Sequence, residues 1–198
     1  MLTTSSGSAI ARLSASDAFA SRTLPEHIAR IPATPYYYRV MQGKPKVIAV
    51  LNEALVEELM AINQYFLHAE LCENWHYDKL GSYIKKQSID EMRHAEALIE
   101  RLLFLDATPT MTEPMKLTIG QNVKDQLESD LALEIHAVEM YNRAVAISRE
   151  EGDNASRELF ERLLKSEEEH VDWLEAQLHQ IREMGYERYL SQQIREEK

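Results

Sequence analysis

Apolar side chains fall at helical spacing along most of this chain. From 46 to 73, Val47, Leu51, Leu55, Leu59, Ile62, Phe66 and Ala69 recur at three- and four-residue steps, the period of an amphipathic helix. From 78 to 105 the pattern repeats with Leu80, Ile84, Ile89, Leu98, Leu102 and Leu105, and Gly81 is tolerated near its start. A connection from Asp106 to Gly120 holds Pro109, Pro114 and several threonines. Two more amphipathic runs, 121–150 and 155–183, are separated by Glu151-Gly152-Asp153-Asn154, which is strong turn chemistry. After Met184-Gly185 a short fifth helix is expected over 187–196, carrying Tyr189, Leu190 and Ile194. No stretch alternates as a strand would. Four helices of this size are each about 40 Å long. The pattern predicts an all-α fold: an antiparallel four-helix bundle with a long crossover between helices two and three and a short C-terminal helix.

Composition narrows the function classes. The 198 residues include 33 acidic and 22 basic side chains, a formal net charge of −11. That excess disfavours a general phosphate-backbone binder, which needs a basic face. One cysteine, Cys72, excludes an internal disulfide framework and any four-thiolate metal site. No apolar run approaches the roughly 18 residues of a membrane span. The expectation is a soluble, cytoplasmic, mostly one-domain protein with neither nucleic acid nor membrane as partner.

Residues 1–40 differ from the rest. They hold ten Ser or Thr, four arginines, no lysine and only Asp17 and Glu26 as acids, followed by Tyr36-Tyr37-Tyr38. Such composition suits an organelle transit peptide. It suits better a disordered tail, or an upstream start on a gene that begins at Met41. The expected division is therefore an N-terminal extension over 1–40 and a helical domain over 41–198.

The chemistry is signalled by a repeat. Glu91-Met92-Arg93-His94 and Glu167-Glu168-Glu169-His170 are both Glu-x-x-His on predicted helices. Positions i and i+3 lie about 60° apart around a helix, so carboxylate and imidazole share a side and can share a metal. The motif alone is weak, and Glu73-Asn74-Trp75-His76 is a third copy. The spacing separates them. Glu91 and Glu167 are 76 residues apart, as are Glu58 and Glu134, each 33 residues before its motif. Tyr65 and Tyr141 keep the same interval, seven residues beyond their glutamates. The third copy has Val40 at the corresponding position and fails.

The midpoint of 58 and 91 falls at the predicted end of the first helix, and that of 134 and 167 at the Gly152 turn. Each hairpin thus sets its lone glutamate level with its Glu-x-x-His. Packing the hairpins together brings four carboxylates and two imidazoles to one depth, the inward ligand set of di-metal carboxylate bundles. Burying four carboxylates without cations is costly, and two divalent ions balance their charge. Oxygen-rich ligation with one histidine per metal suits iron or manganese better than copper, and the lack of thiolates disfavours structural zinc. Met92 lies about 160° around the helix from His94 and faces away from this set. With Ile89 and Ile99 it forms an outer apolar stripe, which suggests a helix-to-helix subunit interface.

From Met41 to Lys198 the chain resembles the bacterioferritin family. The resemblance rests on Glu58-Leu59-Met60-Ala61-Ile62-Asn63-Gln64-Tyr65-Phe66-Leu67-His68, Ser88-Ile89-Asp90-Glu91-Met92-Arg93-His94-Ala95-Glu96, Ile99-Glu100-Arg101-Leu102-Leu103-Phe104-Leu105, Ser129-Asp130-Leu131-Ala132-Leu133-Glu134 and Glu168-Glu169-His170-Val171-Asp172-Trp173-Leu174-Glu175. It implies a ferritin-like fold and a hollow homo-oligomer of twenty-four subunits, built from two-fold dimers, that stores ferric mineral. It implies ferroxidase ligands at Glu58, Glu91, His94, Glu134, Glu167 and His170. By the same resemblance Glu91 and Glu167 bridge two iron ions, with Glu58 and His94 terminal on one and Glu134 and His170 on the other. Tyr65 matches a tyrosine that takes part in electron transfer. Met92 matches the methionine that, with its copy from a second subunit, ligates a shared b-type haem.

Iron oxidation by dioxygen or peroxide, iron homeostasis and a ferredoxin-type reductant follow as expectations from that likeness. Asp90 matches an inner-surface iron position, but Lys86 stands where some members carry a cooperating histidine. A protonated lysine repels Fe²⁺ and offers no lone pair, which leaves that site open on sequence alone. The leader has no counterpart. Rival classes fit less well: a rubrerythrin-like peroxidase needs a four-cysteine iron site, and a DNA-protecting mini-ferritin generally lacks this duplication within one bundle. A helical scaffold without catalysis stays open on sequence alone. Cys72 is read as a small buried or interface residue, and His68, His76, His136 and His179 as structural or exposed.

Overall fold

Five helices form from this pattern in the computed structural model, which describes residues 42–110 and 115–194. They are α1 (Pro45–Asn74), α2 (Asp78–Phe104), α3 (Val123–Glu150), α4 (Asn154–Met184) and α5 (Tyr186–Gln193). The 1–40 extension lies outside the described residues. The helix bounds move from the sequence expectation by up to three residues. At the start of α3 the cause is a cap: Asn122 accepts from the backbone N–H of Asp125, so the helix begins at Val123. Asp153 caps α4 by accepting from Ser156 N–H, which makes Asn154 helical rather than part of the turn.

Contacts between the helices fix their directions. Cys72 meets Gln126, Tyr65 meets Glu134 and Glu53 meets Arg143, so α1 and α3 run antiparallel. Lys85 reaches Glu70 while Ser88 reaches the Ile62 carbonyl, so α1 and α2 are antiparallel too. Hence α2 and α3 point the same way, and the connection between them must travel the length of the bundle. Gly120 ends that crossover against α3. A Cβ there would sit 2.2 Å from the Gln126 nitrogen, so only glycine fits. Where the α2 end meets the α4 start, Arg101 donates to Ser156 Oγ (2.8 Å) and to Asp153 Oδ1 (2.6 Å).

The core is split in two. One apolar cluster holds Leu51, Leu55, Leu98, Leu102, Met140, Phe160 and Leu163. The other holds Leu80, Ile84, Leu127, Leu174, Ile181 and Tyr189. On every one of α1 to α4 a glutamate falls in the gap between the two clusters: Glu58, Glu91, Glu134 and Glu167. The helices therefore carry a polar layer across an otherwise apolar interior, and that layer is the site. One expectation is corrected here. Ile99 packs against the first apolar cluster, so the outer stripe on α2 reduces to Ile89 and Met92. Residue 99 follows Leu98 and precedes Leu102, and so falls on the edge of the core-facing arc.

Candidate metal centre

Each bundle helix delivers at least one side chain to the polar layer. Glu58 comes from α1, Glu91 and His94 from α2, Glu134 from α3, and Glu167 and His170 from α4. All four glutamates are at most 3 % exposed. His94 and His170 follow their glutamates by three residues and point the same way, as the spacing required.

The distances show a pseudo-two-fold arrangement. His94 Nδ1 lies 2.7 Å from Glu91 Oε2, 3.1 Å from Glu167 Oε1 and 3.5 Å from Glu58 Oε2. His170 Nδ1 lies 3.0 Å from Glu91 Oε1, 3.0 Å from Glu167 Oε2 and 3.6 Å from Glu134 Oε1. Glu91 and Glu167 each turn one oxygen to either imidazole. Two sets of potential ligands result, Glu58–Glu91–His94–Glu167 and Glu91–Glu134–Glu167–His170, with the donor atoms of each within 4.8 Å of one another. All six sequence-selected residues are thus brought together, and the two shared glutamates are the ones with central geometry.

Close as they are, these atoms do not satisfy each other. Both oxygens of Glu91, both of Glu167 and Nδ1 of both histidines are buried with no hydrogen-bond partner. Lone pairs converge on common points instead of aligning pairwise. Buried polar atoms almost always have partners, and six orphans in one layer are not a structural network.

Electrostatics tell the same story. Burial pushes the Glu58 carboxyl well above its usual range, and burial with the neighbouring Glu91 and Glu167 charges brings Glu134 up to about 8. Burial also acts against ionisation of Glu91, but contact with both imidazoles overrides it and holds that carboxyl at about 2. Burial disfavours the charged form of His94, yet Glu167, Glu58 and Glu91 raise it to about 12. His170 is displaced upward in the same way by Glu134, Glu167 and Glu91. Without metal, the layer collects protons to offset four carboxylates. Two divalent cations would do so without leaving orphan lone pairs.

The tyrosines cross between hairpins. Tyr65 of α1 donates its hydroxyl to Glu134 of α3, and Tyr141 of α3 donates to Glu58 of α1. Tyr65, two turns beyond Glu58 on α1, therefore holds the terminal glutamate of the other hairpin. Tyr141 has an equivalent place that the sequence signalled only through the 76-residue interval. Burial raises both phenols well above their usual value, with the nearby carboxylates adding to it, so both stay protonated donors.

A match to the Ferritin-like domain family covers residues 48–184. The chain is 43% identical over 152 residues to the bacterioferritin of Mycolicibacterium paratuberculosis, covering 77% of this chain and 96% of that one. It is 45% identical over 149 residues to the bacterioferritin of Brucella melitensis, covering 75% and 92%. This chain belongs to the bacterioferritin family. As a bacterioferritin it is an iron-storage, metal-binding four-helix-bundle protein, and none of its described helices is long and apolar enough to cross a membrane.

Other residues fall as follows in this bacterioferritin. Met92 is 47% exposed and Ile89 41%, on the side of α2 away from His94. Asp90 pairs with Arg93, and Lys86 is exposed. Cys72 is buried, donates to Gln126 Oε1 at 3.2 Å, and has its thiol pushed up to about 12 by burial and by Asp130. His76 and His179 are exposed, and His136 stands 3.5 Å from Glu57. His68 differs from them all. It is fully buried, with Nδ1 2.9 Å from Asp130 Oδ1, while Gly120 N–H donates to its Nε2 at 3.1 Å.

Proposed function

We propose that this protein oxidises Fe²⁺ at the Glu58–Glu91–His94–Glu134–Glu167–His170 layer and stores the ferric product inside a shell built from many copies of itself. The observation that carries the reading is the set of six buried, partnerless donor atoms arranged as two four-residue groups that share Glu91 and Glu167. Iron here is substrate. Glu91 and Glu167 bridge two ferrous ions; Glu58 and His94 complete one end, and Glu134 and His170 the other. Hard carboxylate oxygens with one imidazole per metal suit ferrous ions, and grow more favourable as the ions become ferric. Tyr65 and Tyr141 orient the terminal carboxylates by donating to one oxygen, which leaves the other free for metal. With dioxygen or peroxide as oxidant, electrons pass from iron to oxidant, and the protein fixes both ions at one place.

Twenty-four copies as two-fold dimers, a ferredoxin-type reductant and a shared b-type haem complete this reading by family likeness. The outer face of α2 fits the haem: Met92 presents an exposed thioether beside the exposed Ile89, on the side turned away from the iron layer. Met92 would hold its iron through the thioether sulfur, and the haem would supply one-electron transfer. Replacing Met92 by alanine should remove haem absorbance and leave the oligomer intact.

Oxygen uptake during ferrous addition tests the main reading. Glu134→Ala combined with His170→Ala should reduce the fast oxidation to the rate of free iron. An undiminished initial rate in that double variant would overturn it.

A further inference from the structure

A pocket adjoins the metal layer along the α2–α4 seam. There a cavity of about 270 Å³ is lined by Arg93, His94, Arg162, Lys165, Ser166 and Glu169. His94, whose side chain is 12% exposed, forms the common wall between this cavity and the buried layer. The lining is basic: three cations face one carboxylate. Two of the cations have local counter-charges, Arg93 with Asp90 and Lys165 with Glu169 at 4.0 Å. Arg162 has no ion-pair partner among the described residues. In a chain of net charge −11, a positive pocket against a metal centre needs a reason.

We infer that this pocket binds a tetrahedral oxyanion next to the iron layer. A guanidinium offers two parallel N–H donors that match such an anion, lysine adds a point charge, and Ser166 supplies a hydroxyl donor. The inference rests on the di-iron reading for its purpose. Four carboxylates balance two ferrous ions. Once the two electrons have left with the oxidant, dioxygen departing as hydrogen peroxide with two protons from water, the two ferric ions carry two positive charges in excess. An oxyanion behind His94 offsets them, where the centre meets solvent. The pocket spans two helices that come close only in space, so no sequence motif announces it.

Inorganic phosphate is the probe, titrated calorimetrically into iron-free full-length protein at constant ionic strength set by chloride. Saturable phosphate binding is expected, with sulfate competing. Arg162→Gln with Lys165→Gln should weaken it by roughly tenfold or more. Both residues are exposed, and Arg143→Gln, on α3, serves as a loss of positive charge away from the pocket that should change nothing. Absence of saturable binding overturns the inference, and so does binding unchanged in the double variant or equally weakened by Arg143→Gln. Because the titration needs no iron, it reports on the pocket even if ferrous oxidation in the same preparation fails.

Discussion

Two buried polar clusters share this bundle, Asp130 of one standing a helical turn before Glu134 of the other on α3, and they are built in opposite ways. Around His68, every polar atom but one has a partner. Asp130 accepts from Gln64 at 2.8 Å and from His68, Gly120 N–H donates to the other His68 nitrogen, and Thr118 N–H donates to Gln64. Gln126 accepts from Cys72, and its amide nitrogen is the exception. This network ties the end of the crossover to α1 and α3. Around Glu91 and Glu167 the partners are missing from six atoms at equal depth. A satisfied buried cluster is a fastener. An unsatisfied one is a receptacle, held open by the fold at the expense of stability.

The contrast is broken most strongly by substitution. Asp130→Ala leaves His68 and Gln64 without their buried acceptor and should destabilise the iron-free protein by about 3–5 kcal/mol. Glu134→Gln should act the other way, raising iron-free stability by about 0.5–2 kcal/mol while weakening metal binding, since it replaces a strained carboxyl by a neutral isostere. Denaturant midpoints of both variants check the pair; a loss of stability in Glu134→Gln would remove the distinction.

The pH dependence comes next. Glu134 is raised to about 8 and Glu58 is raised as well, so the folded, iron-free state holds protons that the unfolded chain releases near the ordinary carboxylate value of 4.5. Stability should therefore fall as pH climbs from about 4.5 to 8. His94, raised to about 12 from 6.5, adds a loss of the same sign above pH 6.5. Redox-inert Zn²⁺ displaces those protons, so the zinc-loaded protein should lose this slope and release protons into weakly buffered solution on loading. A pH-independent iron-free stability would contradict it.

Smaller effects sharpen the picture. Tyr65→Phe and Tyr141→Phe each remove one orienting hydrogen bond and should lower metal affinity by about tenfold, equally for the two because their places are equivalent. Cys72 belongs to the satisfied side, bonded to Gln126 with its thiol pushed up to about 12. Native protein at pH 8 should therefore resist iodoacetamide until it is unfolded.

Much of this was legible in the chain, for identifiable reasons. The helices appear because a 3.6-residue period survives along each of them. The six ligands appear because α1–α2 and α3–α4 carry the same spacing, so a metal-binding register is written twice. What stayed hidden arises between hairpins. Tyr65 and Tyr141 show only a shared 76-residue interval in the sequence, and no local pattern says that each donates to the terminal glutamate of the other hairpin. His68 looked unremarkable because its partners Asp130 and Gly120 lie 62 and 52 residues away. Ile99 read as outward because a stripe at helical spacing does not say where the core-facing arc ends.

The most direct test of the unsatisfied layer is its capacity. Iron-free protein is titrated with Fe²⁺ in the presence of dioxygen, and the amplitude of the fast ferric absorbance is followed in a stopped-flow instrument. Two groups sharing Glu91 and Glu167 require the amplitude to saturate at two ferrous ions per chain. Saturation at one ion, or an amplitude that keeps growing without a break, would contradict a paired site at these six residues.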